Sequence, residues 1–209
     1  MTRLILLLAL LLPLPGVTTT ARAAADAPTL ELQRDGQLFR LTPVDMLRRA
    51  DVAKITIPND IAYKQSMDYR ALPLANLLRD NGFTAEGTFN FLALDGFAVP
   101  IDAARIFSAA STSPQPWLAV EDPSAPWPAL SPDGSSAGPF YLVWLPGKDA
   151  PDITAPQEHW PFQIAVIEQT IPPEQRYPQI LPDLTLPKHH PVWEGFALYK
   201  THCIACHKI

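Results

Sequence analysis

The sequence predicts an α+β fold, a mixed sheet with short helices, because strand and helix patterns follow one another without a regular βαβ alternation. Hydrophobic residues make up 47% of the 209-residue chain, which is sufficient for one core of ordinary size. The chain also contains 24 prolines, a high proportion that predicts long irregular connections between the elements.

The first predicted elements are a hairpin, a helix and a strand. Residues 30–41 alternate between apolar and polar types around an Asp-Gly pair, the pattern of a hairpin with a tight turn. Thr42 is typical of a helix N-cap and Pro43 of the first helical position, so a helix should begin there, with Met46 facing the core. Residues 52–58 then predict a strand.

The second half of the predicted domain continues the mixture. Residues 73–80 form an amphipathic pattern that ends at an Asn-Gly pair, which predicts a short helix. Residues 89–101 alternate around a second Asp-Gly pair and predict another hairpin, and residues 102–110 predict a further short helix. The remaining strand candidates are residues 117–120, 140–144 and 162–167, the last of which should close the sheet.

The C-terminal motif Cys203-x-x-Cys206-His207 contains both cysteines of the chain. Positions i, i+3 and i+4 of a helix share one face, so both thiols can reach one porphyrin edge while the imidazole projects towards the iron. This spacing is the attachment motif of a c-type haem. We therefore predict covalent haem c on Cys203 and Cys206, with His207 as an axial ligand of the haem iron.

Other roles are compatible with a C-x-x-C pair. A thioredoxin-like dithiol normally lies early in a βαβ unit, and a simple disulfide would say little about function. A zinc site needs two further ligands, for which His189, His190 and His202 are the available side chains.

The residues before the motif, Gly195 and Tyr199 among them, resemble the first helix of a monohaem class I cytochrome c. That family commonly has a glycine eight residues before the first haem cysteine and an aromatic residue four before it, the positions of Gly195 and Tyr199. The resemblance implies an all-α haem domain that begins at residue 192. In the family these two residues pack against the C-terminal helix of that domain.

A class I cytochrome domain continues well beyond its haem motif and normally supplies a methionine as the second axial ligand. This sequence ends at Ile209, and its methionines all precede the motif, at Met1, Met46 and Met67. We therefore expect residues 192–209 to be an incomplete haem domain. The sixth iron position is then either empty or filled by a histidine such as His189 or His190.

The N-terminus has the composition of a secretory signal peptide, predicted to span residues 1–25. Arg3 supplies a positive charge, residues 4–14 form an apolar run, and small residues around Ala23 offer a cleavage site. The run is too short to span a membrane, and an uncleaved anchor is the alternative. Because bacteria attach haem covalently outside the cytoplasmic membrane, the two ends of the sequence both predict a periplasmic protein.

A second resemblance concerns the middle of the chain. The segments that show this resemblance are residues 71–78, the Asp95-Gly96 hairpin, residues 117–122, residues 138–144 and a closing strand. Together they make residues 40–170 similar to the molybdopterin domain of the sulfite oxidase family. The resemblance implies that fold for residues 26–170.

This sequence departs from the sulfite oxidase pattern at the cofactor. The family holds molybdenum through a cysteine thiolate, and an arginine near the cofactor phosphate usually follows its Gly-Gly-Pro segment. Here no cysteine lies outside the haem motif, and Gly138-Pro139 leads into Phe140. Molybdenum and an anionic phosphate would both be poorly held, so we expect the fold to be kept and molybdopterin to be lost.

A carboxylate pair, a histidine and a proline-rich segment are each interpreted as structural and not as functional features. Glu121 and Asp122 could be paired carboxylates, but an Asp-Pro turn explains them more simply. His159, next to Trp160, is interpreted as a satisfied surface histidine rather than a general base. The proline-rich residues 171–191 predict a semi-rigid linker that separates the upstream domain from the haem segment.

The predicted function is single-electron transfer through one haem c, with the upstream domain docking a redox protein partner rather than acting as a catalyst. The net charge of −5 and the lack of a basic patch exclude nucleic acid as an expected partner. One alternative is an exported binding module whose haem never matures. Another is a molybdopterin oxidoreductase remnant that retains a pterin through other ligands.

Overall fold

A computed structural model describes residues 28–132, 134–151 and 154–204. The predicted α+β class is confirmed, although the strands form two sheets rather than one. The strands are β1 Leu30–Arg34, β2 Gln37–Leu41, β3 Ala53–Ile57, β4 Met67–Pro73, β5 Thr88–Ala93, β6 Ala98–Asp102, β7 Gln115–Val120, β8 Phe140–Leu145 and β9 Ile164–Thr170. The helices are α1 Pro43–Leu47, α2 Leu74–Asp80, α3 Ala103–Ile106, α4 Pro173–Arg176 and α5 Pro191–His202.

The first sheet is mixed, with the strand order β2-β1-β9-β5-β6. Its central strand is β9, which runs parallel to β1 and antiparallel to β5. Residues 162–167 were expected to be a strand that closes the sheet. They overlap strand β9, but β9 lies at the centre of its sheet and not at the edge. The inward side chains of β9, Ile164 and Ile167, are fully buried, because a strand with neighbours on both sides lies deepest in the core.

The second sheet is antiparallel, with the order β3-β4-β7-β8. Strand β4 was not predicted, although its sequence carries the signal of a half-buried strand. Met67, Tyr69 and Ala71 are buried while Asp68 and Arg70 between them are exposed. The strand therefore alternates with a period of two, a pattern that is visible in the sequence.

One hydrophobic core includes residues of both sheets. Phe89 and Phe91 enter it from the first sheet, and Leu118 and Leu142 enter it from the second, each with no exposed surface. Burial of such side chains stabilises the fold by about 1.5–3 kcal/mol each. Both sheets therefore belong to the same packed unit.

The local predictions for the N-terminal hairpin and first helix are confirmed. Asp35 and Gly36 both adopt positive φ, 49° and 78°, as a two-residue turn between β1 and β2 requires. The Thr42 side chain caps α1 by accepting a hydrogen bond of 3.1 Å from the Asp45 backbone N–H. Met46 is buried, as predicted.

The third helix is shorter than expected. Residues 102–110 were predicted to be helical, but α3 ends at Ile106. Beyond it the Ser108 hydroxyl accepts a hydrogen bond from the Ala110 backbone N–H, and such local bonds compete with the helical pattern.

The chain between the sheets and α5 has regular structure of its own. Residues 171–191 contain α4 and a 3₁₀ turn at Pro178–Ile180. Of the two ion pairs described below, one joins α5 to α4 and the other joins α5 to the upstream domain. The predicted signal peptide, residues 1–25, lies outside the described residues. Among the helices of the described ranges, none has the length and apolar character needed to cross a membrane.

Candidate functional site

Helix α5 leads directly to the first cysteine of the C-terminal motif. His190 caps the helix by accepting a hydrogen bond of 3.3 Å at Nδ1 from the Val192 backbone N–H, and Pro191 occupies the first position. The helix ends where the Cys203 backbone N–H donates to the Tyr199 carbonyl at 3.0 Å. Cys203 therefore lies immediately after the last helical residue, with an exposed and free thiol.

The other two residues of the motif, Cys206 and His207, lie outside the described residues. The exposure of Cys203 is what covalent attachment of a haem requires of its first cysteine, since a buried thiol could not meet a porphyrin. Gly195 also has open space where a Cβ would be, with no described atom within 4 Å. In this structure Gly195 therefore makes no close approach to another described segment.

The geometry excludes two of the three histidines, His189 and His190, from a zinc site with Cys203. His189 and His190 precede α5 whereas Cys203 follows it, and twelve helical residues separate the two ends by about 18 Å. Zinc ligands lie about 2.0–2.3 Å from the metal, so these histidines cannot share an ion with Cys203 in this conformation. Within the part of the chain that the structure describes, no three His, Cys, Asp or Glu side chains form a group that could hold a metal.

Two ion pairs connect the C-terminal half of α5 to the upstream residues. Lys200 Nζ lies 2.8 Å from Glu174 Oε1, and His202 Nδ1 lies 3.3 Å from Glu158 Oε2, an ion pair when the imidazole is protonated. The pKa of Glu158 is lowered by a hydrogen bond from its own backbone N–H and by the bond from His202. Both pairs are partly exposed, so each holds the helix only modestly.

A cleft of about 480 Å³ lies beside the Glu158–His202 pair. It is a typical size for a ligand site, and apolar and aromatic side chains form most of its lining. Representative lining residues are Ile61, Lys64, Phe97, Leu130, Trp160 and Phe162, and Glu158 belongs to the same lining.

Two lining residues of the cleft have unusual backbone conformations. Lys64 and Gln163 have φ values of 56° and 52°, a region that residues other than glycine rarely adopt. The Gln163 backbone is held there by its N–H bond to the Ala137 carbonyl and by the bond that its own carbonyl accepts from the Leu94 N–H, both 2.9 Å. Such conformations persist only where surrounding contacts over-determine them. The wall of the cleft is therefore built by specific hydrogen bonds.

A buried carboxylate fixes the other wall of the cleft. Asp60 is only 2% exposed and accepts hydrogen bonds from the backbone N–H groups of Ala62 and Tyr63, at 2.9 and 2.8 Å. The Tyr69 hydroxyl donates to it at 2.9 Å and the Tyr141 hydroxyl at 3.4 Å. Burial, and then the Asp60 charge, raise the pKa of both tyrosines above the usual range, so both remain protonated donors. Sequence analysis missed Asp60, because nothing local distinguishes it from a surface turn residue.

The interpretation of His159 as a satisfied surface histidine is wrong. The side chain is 6% exposed, and its Nδ1 is buried without a hydrogen-bond partner among the described residues. Its backbone carbonyl accepts a 2.6 Å hydrogen bond from Trp144 Nε1, which holds the 3₁₀ turn at Gln157–His159 against β8. Burial, reinforced by Arg105, lowers the pKa of His159 to about 4. The ring is therefore neutral at pH 7 and shielded from solvent.

The turn interpretation of Glu121 and Asp122 is confirmed. Asp122 Oδ1 accepts from the Ser124 backbone N–H at 2.9 Å, an Asx turn, and Glu121 Oε1 accepts from the Trp127 N–H at 2.7 Å and from Ser136 Oγ at 2.9 Å. A Cβ at Gly138 would lie 2.1 Å from Glu121 Oε2. The space beside Gly138-Pro139, where the sulfite oxidase resemblance would place a cofactor phosphate, thus contains a carboxylate.

Neither models of known protein families nor curated proteins match this sequence. Any functional assignment therefore rests on the C-terminal motif and on the geometry around it.

Proposed function

We propose that the protein is an exported c-type cytochrome that carries one haem and transfers single electrons to or from a redox protein. The observation that supports this most strongly is the motif itself. Both cysteines of the chain lie in Cys203-x-x-Cys206-His207, and the Cys203 thiol is exposed and free. Signal-peptide composition at residues 1–25 supports a periplasmic location, where such haem attachment occurs.

The residues present fit a haem c in their chemistry. Cys203 and Cys206 would form the two thioether bonds, and His207 would ligate the iron, which supplies the one-electron chemistry. Lys200 and His202, on the last turn of α5, would orient the attachment segment through their ion pairs with Glu174 and Glu158.

The upstream domain is proposed to have a sulfite-oxidase-like fold without molybdopterin and to dock the redox partner. Its two sheets with short helices support the fold at the level of class. The carboxylate of Glu121 beside Gly138 supports the loss of the cofactor, because an anionic pterin phosphate would be repelled there. No thiolate outside the haem motif is available to molybdenum.

The haem assignment is tested by exporting the full chain from cells that contain a cytochrome c maturation system. We expect a c-type absorption spectrum, a mass increase of one haem, and retention of the haem in acidified organic solvent. The double variant Cys203→Ser/Cys206→Ser should lose all three. The matched variant His207→Ala should keep the mass increase but change the spectrum, since it removes an iron ligand and leaves the thioethers.

A protein that is exported and folded but contains two unmodified thiols, or a disulfide between them, would exclude the electron-carrier function. Molybdenum found by metal analysis in the purified protein would instead support a retained pterin.

A further inference from the structure

We propose that the cleft beside Glu158 receives the edge of the haem that Cys203 carries, so that the upstream domain covers part of its own cofactor. This inference rests on the proposed haem attachment. Position is the first reason for it. Glu158 lines the cleft and pairs with His202, and Cys203, the first proposed thioether residue, is the next residue along the chain.

The lining of the cleft suits a flat apolar ring. Phe97 and Phe162 are 42% and 39% exposed, although large aromatic side chains are normally covered. Phe162 packs edge-on against Tyr141, with ring centroids 6.2 Å apart, and Tyr141 is held by the buried carboxylate of Asp60. The Phe162 ring is therefore held in place before any ligand arrives, which lowers the entropic cost of binding.

Lys64 is the charge of the cleft that suits a carboxylate of a haem. Glu158 is paired with His202, and Asp95 Oδ1 accepts a 2.9 Å hydrogen bond from the Phe97 backbone N–H. Lys64 also lines the cleft, and its ammonium has no ion-pair partner among the described side chains. A haem propionate would provide that partner. An uncharged apolar ligand would leave the Lys64 ammonium without one.

The test compares hydrogen exchange in the full-length haem-loaded protein with that in the haem-free variant Cys203→Ser/Cys206→Ser. We expect amides 61–64, 94–98 and 160–163 to exchange about tenfold more slowly in the loaded protein. The hairpin turn at residues 35–37 should exchange equally in both, because β2 lies at the opposite edge of the sheet from β6.

Two variants of the loaded protein provide a second readout. Phe162→Ser exposes the haem edge to water, and Lys64→Glu places an anion beside it, so both should lower the reduction potential and remove the added protection. The matched controls are Leu38→Ser, an equally exposed apolar residue on β2, and Lys148→Glu, an exposed lysine outside the cleft. Neither control should change the potential or the exchange.

The outcomes separate the two proposals. A protein without covalent haem, recognised from its mass and spectrum, defeats the proposed function and this inference with it. Covalent haem with unchanged exchange around the cleft, or with Phe162→Ser and Lys64→Glu indistinguishable from their controls, overturns the inference alone. Protection that appears only at high protein concentration would identify a second copy as the occupant and would also overturn it.

Discussion

The Tyr69 hydroxyl donates a hydrogen bond of 2.9 Å to the carboxylate of Asp60, and both side chains are buried. One strand of the second sheet is thereby tied to the loop that forms a wall of the cleft. Tyr141, on another strand of that sheet, reaches the same carboxylate. Asp60 thus connects the core of the domain to its surface cleft.

Replacement of Asp60 should destabilise the whole domain. Asp60→Ala leaves two tyrosine hydroxyls and two backbone N–H groups without their acceptor, and we expect a loss of about 3 kcal/mol in the free energy of unfolding. Urea unfolding measures this. Asp183→Ala is the control, because Asp183 accepts similar local bonds from Thr185 but is exposed, and its effect should be small. If the two substitutions lower the free energy of unfolding equally, the buried network around Asp60 contributes no more to stability than the exposed bonds of Asp183.

His159 should make the stability depend on pH. Its pKa is about 4 in the folded protein, because burial disfavours the charged ring, against an ordinary value of 6.5. Between these values the unfolded chain binds more protons, so stability falls as the pH drops from about 6.5 to about 4 and this contribution is constant above 6.5. The total contribution is about 3 kcal/mol.

The measurement compares unfolding free energies at pH 7 and pH 4 for the wild type and for His159→Gln. Carboxylates titrate in both proteins, so the difference between them isolates the imidazole. The wild type should lose about 2–3 kcal/mol more than the variant on acidification. Parallel pH profiles would contradict the buried neutral state.

The sequence predicted those elements whose conformation is determined by residues close together in the chain. The β1–β2 hairpin and the start of α1 follow from Asp35, Gly36 and Thr42, whose turn and cap geometries involve only near neighbours in the chain. Strand β4 was also within reach, because its alternation is visible in the sequence.

The wrong place of β9 and the missed burial of Asp60 and His159 have non-local causes. The central place of β9 depends on pairing with β1, which lies far away in the chain, and no local pattern encodes strand order. The burial of Asp60 and His159 likewise depends on Tyr69, Tyr141 and Trp144, which belong to other elements. The cysteine motif could be read directly from the sequence, whereas the cleft that Glu158 lines exists only once distant segments meet.

A methyl group at Gly138 should displace the Glu121 carboxylate. The added Cβ of Gly138→Ala would lie 2.1 Å from Glu121 Oε2, so Glu121 would lose its bonds to Trp127 and Ser136. We expect a cost of about 2 kcal/mol in the free energy of unfolding. The double variant Gly138→Ala/Glu121→Ala should be less destabilised than the sum of the single variants.

Gly195→Ala is the control for the previous substitution. Gly195 lies inside α5 with no described atom within 4 Å of an added Cβ. Alanine should therefore stabilise the helix by about 0.5–1 kcal/mol through its higher helix propensity. Additive effects of the Gly138 and Glu121 substitutions would contradict the contact between them.

The two ion pairs of α5 should determine how closely residues 199–203 are held against α4 and the 3₁₀ turn at Gln157–His159. In the double variant Glu158→Gln/Glu174→Gln, both carboxylates are replaced by amides of the same shape, so the Lys200 and His202 partners lose their charge attraction. Hydrogen exchange of amides 199–203 should then accelerate about tenfold. High salt should have a similar effect on the wild type, because partly exposed pairs are screened. The control is Glu86→Gln, which removes an exposed carboxylate elsewhere and should leave the exchange of amides 199–203 unchanged. If the double variant behaves like this control, the ion pairs do not hold the helix.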